Sequence, residues 1–365
     1  MSDIDELRSR CHNILPGHGK PASIAASLRD IADSLAGDET GDIYGAGCYL
    51  GDFEAELAAD FGKEAAVFMP SGTMAQQIAL RLWCERTGRS GVAMHPTAHL
   101  EIAEYLGYQI LHGLHRIQFG APEVLHNRLL TLADLEALPE KPGAVLLEVP
   151  CRPLGGEIPD WEDLCGISAW ARRSGIPIHL DGARIWQCRA AYERSFAEIG
   201  ALFDSVYVSF YKDLGGLAGC MLMGPATHIA ESRIWQRRHG GNLFSQAPYV
   251  AAARQGLASC LPQLPAWNKR AGEIAAIING VPGMRTRPAQ PKLNFFQVFL
   301  EGEVDALESA HAQLASDTGT FVFSAFRGSS VPGVSMAELH CWKNAMAFDC
   351  SELSQFLEKL VAAVK

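Results

Sequence analysis

Pro177-Ile-His-Leu-Asp-Gly-Ala-Arg184, followed after a polar segment by Phe203-Asp-Ser-Val-Tyr-Val-Ser-Phe-Tyr-Lys-Asp-Leu-Gly-Gly-Leu-Ala-Gly219, is the stretch whose reading decides the fold. The short apolar runs Ile176–Leu180 and Ser205–Ser209 read as strands of a parallel sheet, buried on both faces. Each leads into ionisable residues: Asp181 and Arg184 follow the first, Lys212 the second. Open α/β sheets bind ligands at the carboxyl ends of their strands. The bland alternative is an aspartate capping a helix and a solvated lysine in a glycine-rich turn. The convergence of an acid, an arginine and a lysine on neighbouring strand ends speaks against it.

Composition narrows the class. The chain has 365 residues, 48% of them hydrophobic and 20% charged, which suits a large domain with a substantial core and a smaller one beside it. A formal net charge of −10 argues against nucleic acid or an anionic membrane as a partner. Ten cysteines are scattered without a Cys-x-x-Cys pair, so reduced thiols and no metal site are expected. Met1-Ser-Asp-Ile-Asp-Glu-Leu-Arg8 lacks an apolar core of the secretion type, and no apolar run approaches about 20 residues. A cytoplasmic location is the expectation.

Upstream, Glu64–Met69 reads as a strand, then Pro70-Ser-Gly-Thr-Met74 leads into an apolar helix from about Ala75 to Cys84. Backbone N–H groups at such a helix start lack partners and sit at the positive end of the dipole. Gly72 admits close approach of an anion, and the Ser71 and Thr73 hydroxyls can donate to it; an ordinary N-cap is the alternative. After a strand at Gly91–Met94 come His95 and His99. Ala144–Glu148 reads as another buried strand, leading to Cys151, Arg152, Gly155 and Gly156. Trp161–Trp170 has helical spacing. Beyond the helix Val250–Leu261, broken by Pro262 and Pro265, helices and strands alternate to the end. Three segments are expected: 1–36, an N-terminal stretch packing with the small domain; 37–260, the large domain; and 261–365, the small C-terminal domain.

A lysine and an acid so placed suit pyridoxal 5'-phosphate, which needs an amine for a Schiff base and a carboxylate for its ring nitrogen. Asp181-Gly-Ala-Arg184 with the Lys212-x-Leu-Gly loop resembles the threonine aldolase/β-eliminating lyase family. The likeness covers roughly 37–260 well and both ends loosely. It implies an α/β, fold type I architecture like the pyridoxal-phosphate-dependent transferases. A large domain would be built on a mostly parallel seven-stranded sheet, with a smaller C-terminal α+β domain. It implies Lys212 as the Schiff-base lysine, Asp181 as the ring-nitrogen partner and Arg184 as the clamp on the substrate carboxylate. Pro-Ser-Gly-Thr-Met matches the family's phosphate turn, implying Ser71, Gly72 and Thr73 as phosphate ligands, with Ser209 in addition. His99 matches the histidine that stacks on the cofactor ring. Gly37-Asp-Glu-Thr-Gly-Asp-Ile-Tyr44-Gly45 matches a segment of the active site near a subunit boundary, which brings in Tyr44. A homodimer or homotetramer with shared active sites is implied.

The departures gather on the substrate side. Pro16-Gly-His18-Gly-Lys20-Pro stands where the family has a short Ser-Asp-Thr stretch, so either His18 and Lys20 replace those contacts or the loop is a rigid turn. Cys151 falls where a histidine near the substrate hydroxyl is usual. Lys343 falls at a second carboxylate-binding arginine, and Arg327 is an alternative there. An arginine after Gly240-Gly241 is missing, and Arg237 or Arg238 is either its substitute or a solvated helix end. The resemblance implies retro-aldol cleavage of a β-hydroxy-α-amino acid to glycine and an aldehyde. β-Elimination is the nearest alternative, and a catalytically silent cofactor-binding protein is a third.

Overall fold

Residues 3–19 and 23–364 are described by the computed structural model of the chain. They fall into two units, a larger one of Leu28–Pro153 and Ile158–Pro262, and a smaller one of residues up to Ser27, Leu154–Glu157 and residues from Gln263 onward. The boundaries differ from those read in the sequence: residues 28–36 group with the larger unit, and the Gly155-Gly156 turn groups with the smaller.

The larger unit is built on seven strands: β1 (Ala65–Met69), β2 (Gly91–Ala93), β3 (His115–Arg116), β4 (Ala144–Glu148), β5 (Ile178–Gly182), β6 (Ser205–Ser209) and β7 (Cys220–Gly224). Their order across the sheet is β1-β7-β6-β5-β4-β2-β3. β7 runs antiparallel to both neighbours, and every other pairing is parallel. The mostly parallel α/β sheet expected from the sequence is therefore present. Its inner strands carry unbroken apolar runs, such as Ala144-Val-Leu-Leu, because both faces are covered.

Helix α1 (Gly72–Thr87) connects β1 to β2, which stand five strand spacings apart. At about 4.8 Å per strand and about 1.5 Å per helical residue, a helix of sixteen residues is the length that crosses that gap. It therefore lies over the middle of the sheet, packing Ala75, Ile78, Ala79 and Leu82 on Val67, Tyr207 and Leu222. Gly72 is required at its start, since a Cβ there would stand 2.0 Å from the Tyr207 hydroxyl. Gly88, in the left-handed conformation (φ 66°), ends it.

In the smaller unit four strands, β8 (Met284–Arg287), β9 (Phe295–Glu301), β10 (Arg327–Gly328) and β11 (Val334–His340), form an antiparallel sheet in the order β10-β11-β9-β8. Phe296, Val298 and Leu300 pack with Ile274, Ile278, Leu307, Phe356 and Leu360 of the flanking helices. The N-terminal pair Asn13–Ile14 joins the unit by parallel pairing with Thr320–Phe321. Pro265, read as a helix breaker, instead occupies the first turn of the helix Leu264–Asn279, where its missing N–H costs nothing. β8 was not visible in the sequence, because Met-Arg-Thr-Arg carries only two buried side chains. Among the described residues no helix is long and apolar enough to cross a membrane, and all ten cysteines are free thiols.

Candidate active site

Parallel register brings the ionisable strand ends together. Glu148 is the register partner of Asp181, and Asp181 of Tyr207, so their side chains leave the same face at the carboxyl edge. Asp181 is 2% exposed. Its Oδ1 accepts the Ala183 N–H at 3.1 Å, and its Oδ2 accepts Gln76 Nε2 at 2.6 Å. The turn that follows places Arg184, half-buried, at the same edge. Glu148 Oε1 accepts the Arg152 N–H at 3.0 Å, while Oε2 is buried with no hydrogen-bond partner among the described residues. Burial, with the Asp181 charge beside it, raises the Glu148 carboxyl above its ordinary range.

Lys212 follows β6 by three residues and is half-buried. Burial first, and then the Arg184 guanidinium, lowers its amine to about 8, against the opposing pull of Asp181, Glu148 and Asp213. The amine and the acid singled out in the sequence thus share one electrostatic cluster. A lysine near 8 has a substantial neutral fraction at physiological pH, which a nucleophilic or proton-accepting amine requires.

Ser71 stands at the N-cap of α1 in extended conformation, and its hydroxyl makes no capping bond. The N-cap alternative is therefore not taken up by its side chain, and Gly72 and Thr73 open the helix with their N–H groups at its positive end. Ser209 does not fit the same role. It is fully buried and donates its hydroxyl to the Ala183 carbonyl at 2.7 Å, closing the Asp181–Arg184 turn, so its proton is not available to a phosphate.

His99 begins a short helical turn, and its Nδ1 lies 2.8 Å from Glu104 Oε1. Glu104 is buried, and its Oε2 accepts Gln77 Nε2 at 3.1 Å. His95 is spent structurally: Nε2 lies 2.7 Å from the Leu125 carbonyl, and Nδ1 lies 2.7 Å from Thr97 Oγ1. Tyr44 has a left-handed backbone (φ 51°) and meets the Phe244 ring edge-on at 5.4 Å. Its loop is pinned by buried Asp42, whose Oδ1 accepts the Gln246 N–H at 2.7 Å and the Ala247 N–H at 3.0 Å.

In the smaller unit His18 stacks on Trp342 at 4.5 Å and meets Trp267 edge-on at 5.6 Å. Lys20 lies outside the described residues. Lys343 is exposed at the start of a one-turn helix. Arg327 lines a cavity of about 170 Å³ with Glu338, His340 and Trp342. Arg237 and Arg238 sit exposed at the end of the helix Ala226–Arg238, the latter over the Trp235 ring at 4.5 Å. Cys151 is buried.

Gln76, Gln77 and Glu104 were missed in the sequence. The two glutamines had left a signal, as adjacent amides inside an otherwise apolar helix directly after the Pro70–Met74 turn. Glu104 had none, since a glutamate five residues after a histidine does not by itself mark a contact. The residue set fits a phosphorylated pyridine. It offers an unspent helix N-terminus, a buried carboxylate, a low-pKa amine, and a Gln76 Oε1 that is buried without a partner among the described residues.

Comparison with known proteins bears on the same point. The sequence profile of the beta-eliminating lyase family matches residues 23–300. A solved structure from Listeria monocytogenes EGD-E, assigned as an L-allo-threonine aldolase, superposes with a TM-score of 0.90 at 35% identity, covering 99% of this chain and 98% of that one. Low-specificity L-threonine aldolase 1 of Arabidopsis thaliana is 28% identical over 68% of this chain and 71% of its own length. Aldolase vrtJ of Penicillium aethiopicum is 36% identical over 55% of this chain, and the match spans about half, 52%, of that relative. The chain belongs to the beta-eliminating lyase family, enzymes of the pyridoxal-phosphate fold type I whose cofactor is pyridoxal 5'-phosphate.

Proposed function

We infer that this member of the family is an aldehyde-lyase that cleaves a β-hydroxy-α-amino acid to glycine and an aldehyde. The observation that carries the reading is the grouping of Lys212, Arg184 and Asp181 at one carboxyl edge, beside the helix start at Gly72. In this reading Lys212 holds the cofactor covalently, and Ser71, Gly72 and Thr73 hold its phosphate. Asp181, kept in place by Gln76 and the Ala183 N–H, is the anion opposite the ring nitrogen. Arg184 binds the substrate carboxylate with its planar fork. His99 covers the ring, and Tyr44, His18 and Lys343 are proposed substrate contacts. When bound, the cofactor supplies a sink for the electron pair left at Cα. The residues decide which bond gives up that pair, because carboxylate clamp and ring contact together fix the substrate's orientation.

β-Elimination is the second reading, favoured by one observation: buried Cys151 stands where the family's usual histidine would reach a β-hydroxyl. At least a dimer is proposed, with small-molecule amino acids as the substrates. Incubation with threonine, allo-threonine and phenylserine tests the reading. Glycine plus aldehyde is the expected product pair, whereas an α-keto acid with ammonia establishes elimination instead. The absorbance of the bound cofactor near roughly 420 nm is expected to vanish in Lys212→Ala. Its persistence would overturn the assignment of Lys212.

A further inference from the structure

Helix α1 reaches two polar groups with two successive side chains. Gln76 donates to Asp181 at 2.6 Å, and Gln77 donates to Glu104 at 3.1 Å. Glu104 in turn meets His99 Nδ1 at 2.8 Å. Glu104 is a buried carboxylate (side chain 1% exposed), whereas the imidazole above it is 38% exposed. A carboxylate beneath Nδ1 selects the tautomer with the proton there, and leaves the accessible Nε2 as a lone-pair acceptor. The same helix whose N-terminus opens the site therefore also carries the support of this imidazole.

We propose that Glu104, braced by Gln77, is the positioning residue that makes His99 the proton acceptor for the substrate hydroxyl. The proposal rests on the retro-aldol reading. It answers what Cys151 leaves open, namely which group takes that proton. In the step, the hydroxyl O–H breaks and its proton passes to His99 Nε2. The O–H pair becomes the second bond of the aldehyde carbonyl as the Cα–Cβ pair moves to Cα. Cα then regains a proton, so the net transfer is of the hydroxyl hydrogen to Cα. Buried and oriented, Glu104 also stabilises the imidazolium formed, the role that an orienting carboxylate plays behind a catalytic histidine.

Other charges around this segment have partners of their own. Glu101 is engaged by the Tyr108 hydroxyl and by Arg116 Nε at 3.3 Å, and Arg81 by Glu85 and by His112 at 3.3 Å. Along the carboxyl edge stand Glu148, Asp181, Arg184 and Lys212, whose charges are unchanged in the variants used below.

The test uses the holoenzyme with isotopically labelled histidine, the His99 signal being assigned by its loss in His99→Gln. In Glu104→Gln the Nδ1–H tautomer of His99 is expected to lose its dominance, read from the chemical shifts of its two ring nitrogens. Cleavage of phenylserine is expected to drop about 10- to 100-fold in kcat, with cofactor absorbance retained. Glu104→Asp should recover part of both. An identical His99 tautomer balance in wild type and Glu104→Gln overturns the proposal. Should that variant not fold, Gln77→Leu is read in its place, with a smaller change of tautomer in the same direction, since Glu104 then loses the amide that holds its carboxylate in position. The resonance measurement needs no turnover. A changed His99 tautomer in a protein that cleaves no β-hydroxy amino acid therefore sinks the retro-aldol reading and keeps the dyad, whereas cleavage with an unchanged tautomer does the reverse.

Discussion

Lys212 shows how a position at a strand end becomes a reactivity. Burial and Arg184 hold its folded pKa at about 8, below its ordinary 10.5. The unfolded chain then keeps a proton that the folded apoprotein releases, and stability rises with pH across that window. Below about pH 8 both states are protonated, and the buried charge exerts its full cost. Apoprotein stability is therefore expected to climb between pH 8 and 10.5, by on the order of 1–2 kcal/mol after allowance for solvent screening. Lys212→Met should flatten that slope and be the more stable protein at pH 7. Urea titrations at several pH values check this, and a slope unchanged by the substitution refutes it. The identity of Lys212 and its glycine-rich surroundings were legible in the sequence, but the depressed pKa was not. It comes from burial and from Arg184, carried by the turn after another strand, against the opposing pull of Asp181, Glu148 and Asp213.

Among the elements, the edge strand β1 and two helices beside it are held by one ion pair. Glu54, buried on the helix Cys48–Asp60, accepts the Phe68 N–H at 2.8 Å and pairs with Arg233, which also donates to the Ala66 carbonyl at 3.0 Å. Three elements, the helix Cys48–Asp60, β1 and the helix Ala226–Arg238, thus meet on one carboxylate. Burial pushes the Glu54 carboxyl up, with Arg233 opposing the shift. Removing the guanidinium leaves a buried charge without its counterion. Arg233→Ala is expected to cost about 2–4 kcal/mol, read as a lower urea midpoint at unchanged slope. A loss below about 0.5 kcal/mol, the level of an exposed pair, means the carboxylate is not held as described. The apolar run located β1 to within a residue, because its side chains are buried. Periodicity missed that α1 starts at Gly72 rather than Ala75, since the first turn carries no apolar signal, and the resemblance offered Ser209 as a phosphate ligand, whereas its hydroxyl donates to the Ala183 carbonyl in the turn after β5.

At the scale of the whole molecule, large apolar side chains stand in solvent along one segment: Ile102 (59% exposed), Tyr105 (97%), Ile110 (79%) and Leu111 (60%). They flank the segment that carries His99 and Glu104, and Tyr105 and Leu106 hold left-handed backbone to present it. A concentration of this kind is a mark of an interface, which fits the oligomer proposed above. Sedimentation equilibrium is expected to give a dimer or tetramer, and Ile110→Asp with Tyr105→Ser to shift it towards monomer. A monomeric wild type with full cofactor occupancy overturns the proposal.

What the sequence determined alone was local and additive: unbroken apolar runs that had to be buried strands, a helix start rich in small residues, and ionisable residues timed to strand ends. The alternation of these along the chain was enough for a mostly parallel α/β sheet and for the cofactor. The tertiary structure decided what depends on distance between segments far apart in sequence. The register that sets Glu148 beside Asp181 is one such outcome, the reach of Gln76 to Asp181 another, and that of Gln77 to Glu104 a third. Pattern records which face of an element is apolar, whereas charge coupling and hydrogen bonding fall off over a few ångströms and are fixed only when those elements pack.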